Sequence, residues 1–261
     1  MTKTIVLVSV LALALAAAVA VKMIFFPSIS DKFFQTNAAR LRLVPPGLVV
    51  VRPTHFADSA KRPSPQNQVG SATVKGARWM VGINMTFQNL IATAYSHNPG
   101  RITLPSDPPK GNFDFLVTVP KDPQTRLQLA IRKKLGYTAQ VETIDTPVLA
   151  LKVEDPNSSG LKVSTAKSDN LAEKNGRLYF THQRLTTITD GLEGILKMPV
   201  VDKTGLTNYY DFSLIWDAQT MKQIQNGTLD QATGQKILAE WGLGLEPDTA
   251  SLEMLVVKRA K

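Results

Sequence analysis

The chain has 261 residues, no cysteine, a hydrophobic fraction of 43% and a formal net charge of +9 at pH 7. This length and composition allow one large or two small domains with a substantial core. The lack of cysteine excludes disulfides, thiolate catalysis, cysteine-based metal sites and lipid attachment through an acylated cysteine. The basic residues form no dense run and accompany no glycine–aromatic RNA signature, so nucleic-acid binding is not predicted.

The N-terminus carries an unbroken apolar run at residues 5–21, preceded by Lys3 and followed by Lys22. Such a run is an export signal or a membrane anchor. Small residues near Ala18 would suit a signal peptidase, but the apolar sequence resumes after Lys22, which favours an uncleaved anchor. We expect residues 1–27 to be a signal anchor, or a cleaved signal peptide, with the body outside the cytoplasm.

Basic residues close to this anchor oppose the expected orientation. Lys22, Lys32, Arg40 and Arg42 lie on the proposed outer side, whereas the positive-inside tendency favours the cytoplasm. Early insertion of an N-terminal signal can override that tendency. The segment at residues 28–47 is predicted to be a short amphipathic tether, partly helical.

Residues 48–155 are predicted to form a first α+β unit. Its expected elements are a strand at 48–51, a loop at 57–73, a strand at 78–83, a helix at 85–97 capped by Thr86, a strand from Phe113, a helix from Asp122-Pro123 to Gly136, and a hairpin at 137–153 around Asp145-Thr146-Pro147. Helical apolar periodicity, capping residues and proline or glycine punctuation are the basis for these assignments.

A polar connector at residues 156–175 and a second α+β unit at residues 176–261 follow. The expected elements are a strand at 178–180, a helix at 185–196, a strand ending at Trp216, an insert at 218–227, a helix preceded by a capping box at Thr228 and Gln231, and a closing hairpin at 243–259. Their order repeats that of the first unit, and Asp114 and Asp211 occupy matching places between aromatic residues. This ordered self-similarity predicts a duplication.

Two motifs carry a resemblance to a known family. The first motif comprises Gly76, Arg78, Trp79, Asn84, Thr86, Leu90, Ile91, Ala94 and Tyr95. The second is Pro-Val-Val-Asp-Lys-Thr-Gly-Leu-Thr at 199–207, followed by Tyr210-Asp211-Phe212. Over residues 48–258 the chain resembles soil-associated bacterial exported proteins of unknown function, whose related domains are sometimes fused to thioredoxin-like or sensor-peptidase modules. It departs from them at 57–69 and 218–227. The resemblance implies an exported α+β domain and supplies no catalytic residue.

Three short strings match the signatures of penicillin-recognising serine enzymes. They are S-x-x-K at Ser164 and Lys167, S-D-N at 168–170, and K-T-G from Lys203. In those enzymes the first two signatures face each other across the substrate, whereas here they are contiguous in a polar segment. The chain is also too short for that fold. We therefore favour a solvated connector and a turn over a serine hydrolase.

The sequence offers two further kinds of candidate chemistry, a pair of acids and a metal site. Asp114 and Asp211 could form a general acid–base pair if the two units face each other, but acids between aromatics more often point to the open face of a sheet or bond to nearby backbone. His55, His97 and His182 are isolated, with no carboxylate at ligand spacing, so no metal site is predicted. No phosphate-binding loop and no cofactor are predicted.

The sequence thus favours a membrane-anchored or secreted α+β protein. Each of its two units would consist of strand, helix, strand, helix and hairpin, with helices on one face of a mainly antiparallel sheet. We expect a non-catalytic extracytoplasmic binding or adaptor module whose partner is an envelope protein or peptide. Exposed sheet edges and a groove between the repeats would provide the contact surfaces. The candidate functional surface comprises Asp202, Lys203, Thr204, Asp211 and Asp114. The alternative is an envelope hydrolase using Ser164, Lys167 and Lys203, or the paired acids.

Overall fold

The structure, a computed structural model, describes residues 30–56, 68–215 and 231–261. The expected anchor at residues 1–27, most of the loop at 57–73, Trp216, the insert at 218–227 and the capping residue Thr228 lie outside these residues. Within the described part of the chain, no helix is long and apolar enough to span a membrane.

The described residues form a mixed α+β fold with three four-stranded sheets. The strands are β1 Val49–Pro53, β2 Gln68–Val74, β3 Ala77–Met85, β4 Ile102–Thr103, β5 Phe113–Val117, β6 Tyr137–Val153, β7 Lys162–Val163, β8 Asn170–Lys174, β9 Arg177–Gln183, β10 Val200–Asp202, β11 Tyr210–Ile215 and β12 Leu243–Arg259. The helices are α1 Ala38–Leu41, α2 Phe87–Tyr95, α3 Pro123–Leu135, α4 Leu185–Leu196 and α5 Gln231–Ala239. The predicted α+β class with mainly antiparallel sheets is confirmed.

Local signals in the sequence place several helix ends correctly. Thr86 caps α2 because its hydroxyl accepts a hydrogen bond from the N–H of Asn89 at 3.2 Å. Gly136 ends α3 with a φ of 76°, a conformation that glycine adopts without strain. Pro123 begins α3 as expected, but Asp122 has a φ of 49° and makes no side-chain bond to the helix. The predicted capping role of Asp122 is therefore wrong.

The two predicted hairpins are a single pair of long strands. β6 and β12 each run for 17 residues and pair antiparallel along their whole length, from Tyr137 opposite Arg259 to Val153 opposite Leu243. Asp145 faces Ser251 at the centre of this register. The hairpin prediction was wrong because β6, at the end of the first half of the chain (β1 to β6), pairs with β12, at the end of the second half (β7 to β12), and neither strand folds back on itself.

Two prolines tolerated within this ladder explain why the turn signal misled. The N–H of Leu149 donates to the carbonyl of Pro199, on the side away from β12. Leu149 faces Pro247, so in antiparallel pairing Pro247 also directs its nitrogen away from β6. Pro147 lies two residues earlier and shares this orientation. Neither proline removes a hydrogen bond from the β6–β12 ladder.

Each half also contributes a short strand beside the long strand of the other half. The central sheet has the order β10-β6-β12-β4. β10 pairs parallel to β6, and β4 pairs parallel to β12. The central sheet thus joins the two halves through one antiparallel strand pair and two parallel strand pairs.

The first outer sheet, β1-β5-β3-β2, is covered on both faces. Helices α2 and α3 cover one face. The other face carries Trp79 and Val81, and the N-terminal segment covers it by burying Phe34 and Leu41 there. From Ser30 onward, the segment predicted as a tether therefore packs against the body.

The second outer sheet has the order β7-β11-β9-β8. Two of its strands, β7 and β8, lie in the segment at 156–175 that the sequence predicts to be a connector. β8 is exposed along its whole length, which accounts for the polar composition of that segment. The division of the chain into units at these boundaries stays a prediction.

A buried carboxylate locks the two halves together beside the central sheet. Glu193 on α4 has only 1% of its side chain exposed and accepts hydrogen bonds from Arg101 Nε at 2.8 Å and Asn98 Nδ2 at 3.0 Å. It also accepts the N–H of Val200 at 3.0 Å. A Cβ atom at Gly100 would lie 2.5 Å from the Glu193 carbonyl oxygen, so this close approach requires glycine.

We predict that Glu193→Ala lowers the free energy of unfolding by about 3–5 kcal/mol, because Arg101 loses its buried partner. The same substitution at exposed Glu173 on β8 is the control and should change it by no more than about 0.5 kcal/mol. Urea unfolding followed by circular dichroism measures both variants. Equal effects of the two substitutions would contradict the junction described above.

Candidate functional site

The two predicted acids lie in matching backbone irregularities in the two outer sheets. In the first, Phe113 faces Met85 while Phe115 faces Gly82, and the register shifts between them. In the second, Tyr210 faces Gln183 and Phe212 faces Phe180, with the same shift. The aspartate between each aromatic pair therefore lies opposite a bulge of identical form.

Each aspartate bonds to a residue with left-handed backbone in its bulge. Asn84 has a φ of 54° and donates its N–H to Asp114 at 3.0 Å. His182 has a φ of 58° and donates its N–H to Asp211 at 2.9 Å. The carboxylates hold a conformation that non-glycine residues seldom adopt. Backbone bonding is one of the two structural roles that the sequence predicts for these acids.

Asp114 is surrounded by donors. Its side chain is fully buried and accepts hydrogen bonds from the Thr54 hydroxyl at 2.7 Å and the His55 N–H at 3.0 Å. The Arg52 guanidinium lies 3.4 Å away and also binds Asp31 at 2.6 Å. With its lone pairs occupied and no access to solvent, Asp114 fixes the N-terminal segment to the first sheet.

Asp211 is half-buried and lies in the other outer sheet. Its neighbour His182 stacks on Tyr209 with ring centroids 4.0 Å apart, and the Arg184 guanidinium covers the same ring at 4.5 Å. The partners of Asp211 are separate from those of Asp114. The structure does not bring the two carboxylates together as an acid–base pair.

The first two serine-enzyme strings follow one another from just after β7 to the start of β8 in the second outer sheet, whereas the third lies after β10 of the central sheet. The Ser164 hydroxyl, just after β7, accepts a hydrogen bond from the Ala166 N–H at 3.2 Å. Lys167 is exposed in the following loop. Lys203 follows β10 in the central sheet and pairs with Asp248 of β12 at 2.5 Å, so it serves a cross-strand ion pair. This hydrogen bond from Lys203 lowers the pKa of the Asp248 carboxyl.

The conspicuous motif around Lys203 forms a turn. The Asp202 carboxylate accepts hydrogen bonds from the N–H and the hydroxyl of Thr204, at 2.9 and 2.6 Å. Gly205 follows with a φ of 71°. These contacts are those of an Asx-turn. Among the described residues, no group of three or more histidine or acidic side chains is arranged to hold a metal ion.

An apolar groove with a volume of about 350 Å³ opens in the second half, between the β8–β9–β11 face and helices α4 and α5. It is lined by Leu171, Leu178, Phe180, Thr187, Ile188, Gly191, Leu192, Ile195, Phe212, Leu214, Ile237, Leu238 and Trp241. No charged side chain is among these residues. Its volume falls within the range of small-ligand sites, which is about 300–1,000 Å³.

One residue differs at the shared bulge beside the groove, as the strand registers show. Gly82 lies beneath the Phe115 ring so closely that a Cβ atom would come within 2.1 Å of Phe115 Cε1. The matching residue in the second sheet is Phe180, whose ring stacks on Phe212 at 4.8 Å. The first sheet therefore packs one ring directly against its backbone at this position, whereas the second sheet has two stacked rings.

The helices beside the two outer sheets also make different contacts. α2 packs against α3 and against β3 and β5, and the core beneath it is filled. α4 instead has its main contacts with β10 and the turn at Pro99–Arg101, which leaves Ile188 and Leu192 facing the groove. The floor is fixed by Trp241, whose Nε1–H donates to the Ser213 carbonyl at 2.9 Å.

Two features open the groove to a binding partner. Leu171 on the edge strand β8 is 58% exposed although it lines the groove. A Cβ added at Gly191 on α4 has no atom of the described residues within 4 Å. Sequence reasoning missed this site because it searched for polar chemistry. The match between Gly82 and Phe180 follows from the strand registers and gave no signal in the sequence.

Comparison with known proteins places the chain near one family. The sequence profile of the family described as "Protein of unknown function (DUF3738)" matches residues 88–260, from α2 through β12. No curated protein and no solved structure is significantly similar to the chain. The expected membership of a family without assigned function is therefore confirmed.

We predict different effects of alanine at the two matching acids. Asp114→Ala should lower the free energy of unfolding by about 3–5 kcal/mol, because the Thr54 hydroxyl and the N–H groups of His55 and Asn84 lose their buried acceptor. Asp211→Ala should lower it by about 1 kcal/mol, the value of one backbone hydrogen bond at a half-buried site. Denaturant titration of both variants tests this difference, and a larger loss in the Asp211 variant would contradict it.

Proposed function

The chain belongs to a protein family of unknown function, and we propose that it is a non-catalytic binding module whose site is the apolar groove of its second half. The observation that carries this proposal is the groove itself, lined by apolar side chains. The matching space in the first half is filled by core residues. The candidate catalytic residues do not converge, which favours binding over hydrolysis.

The ligand of this site is a peptide segment in extended conformation, presented by an envelope protein. In the described residues, β8 is the edge of its sheet and pairs with β9 alone. A peptide that adds to this edge gains main-chain hydrogen bonds, and its alternate side chains point to one face. Leu171 places that face at the groove, so apolar residues at every second peptide position fit the site.

The two halves are diverged copies of one unit. The pattern of β7 to β12 follows that of β1 to β6, including the helices after β3 and β9 and the parallel placement of β4 and β10. The shared bulge supports the same conclusion. In this account, the first copy retains a closed core for stability, while the second copy has opened to bind a ligand.

The body is extracytoplasmic and attached to the cell membrane through residues 1–27. The apolar run at residues 5–21 supports this location. We predict that protease added to spheroplasts degrades the body, while protease added to intact cells does not. Degradation only after membrane lysis would place the body in the cytoplasm and contradict the proposed location.

We predict that Gly191→Trp abolishes peptide binding, because the indole fills the open groove. Gly194→Trp is the matched control. Gly194 lies on the same helix, an added Cβ there also has no atom of the described part of the chain within 4 Å, and Gly194 is not among the residues that line the groove. Random peptides displayed on phage are selected on the full-length protein and then tested against both variants.

The selected peptides should carry apolar residues at alternate positions and lose binding when their backbone amides are methylated. Binding that survives Gly191→Trp would contradict the groove as the site. Capture of detergent-like acyl chains in place of any peptide would contradict strand addition at β8 and identify a lipid-binding groove.

A further inference from the structure

The N-terminal segment exposes an apolar residue that its own packing does not require. Phe34 and Leu41 turn inward, whereas Leu43 has 84% of its surface exposed. A shallow depression beside it is lined by Lys32, Phe33, Gln35, Arg40, Leu43 and Val44. We call Lys32, Phe33, Arg40, Arg42 and Leu43 the N-terminal surface.

The N-terminal surface is also positively charged. Lys32, Arg40 and Arg42 are exposed; Lys32 and Arg40 line the depression with Leu43, and Arg42 precedes Leu43 in the chain. The nearby carboxylate of Asp31 does not cancel them, because it already binds Arg52 at 2.6 Å and contacts the His55 ring at 3.0 Å. An exposed leucine near several basic side chains suits a surface that enters an anionic lipid interface.

The length of the chain before this surface sets its distance from the membrane. The apolar sequence extends to Phe26, and the described chain begins at Ser30. At about 3.6 Å per residue, this connection keeps Ser30 within about 15 Å of the end of the apolar sequence. A body attached by residues 1–27 must therefore hold its N-terminal surface close to the bilayer.

We propose that the N-terminal surface docks on the membrane, with Leu43 inserted between headgroups and the three basic side chains bound to phosphates of anionic phospholipids. The inference rests on the proposed attachment through residues 1–27 and is independent of the groove. It gives a role to basic residues that oppose the positive-inside tendency. It also fixes how the body is oriented on the membrane.

Cysteine labelling tests this contact in the full-length protein. The sequence has no cysteine, so Leu43→Cys provides a single position for a nitroxide label. Val163→Cys on β7 is the control, since Val163 is also apolar and 59% exposed. Both proteins are reconstituted into vesicles that contain phosphatidylglycerol, and the collision rates of the label with oxygen and with a water-soluble nickel complex are measured.

The oxygen-to-nickel accessibility ratio should be severalfold higher at position 43 than at position 163. Reversing the three charges with Lys32→Glu, Arg40→Glu and Arg42→Glu should bring position 43 down to the control ratio. Vesicles of phosphatidylcholine alone should also lower the accessibility ratio at position 43.

Equal ratios at both positions, in protein that resists an alkaline wash, would overturn docking while leaving the anchor intact. Release of the protein by that wash would overturn the anchor and this inference with it. A high ratio that persists after charge reversal would overturn the role assigned to anionic lipid. The peptide-binding experiment on the groove is unaffected by each of these results.

Discussion

The pairing of β6 with β12 is the constraint on which the rest of the structure depends. Each strand follows the last helix of its half, so their antiparallel register fixes how the halves are placed. The centre of the register, at Asp145 and Ser251, is also the point about which the element order repeats. β4 and β10 then lie on opposite edges, and the Glu193 carboxylate ties the 98–101 turn to α4.

The two outer sheets have matching strand orders and the same bulge, but they bury different side chains. Both contain the bulge held by an aspartate, at Asp114 and Asp211. The first sheet has apolar side chains on both faces and is covered by helices and by the N-terminal segment. In the second, Phe180 takes the place of Gly82, and the helices leave an apolar groove. The glycine-to-aromatic difference and the different helix contacts thus accompany the contrast between a filled core and a groove.

The sequence predicts the fold class and most element positions, because periodicity, caps and glycines act locally. It does not predict that β6 and β12 pair with each other, since a proline is a turn signal unless its nitrogen is known to face away from the ladder. Polar β8 resembles a linker because an exposed edge strand selects polar side chains. The groove escaped sequence analysis because Phe180 and Leu192 have the composition of an ordinary core.

The central claim is that an apolar space closed in one half of the molecule is open in the other. The most direct measurement is a crystal structure of the protein under xenon pressure, because xenon binds apolar spaces without needing hydrogen bonds. The account predicts xenon between Phe180, Ile188 and Leu192, and none beneath α2 in the first half. A second half as tightly filled as the first, without xenon, would contradict it.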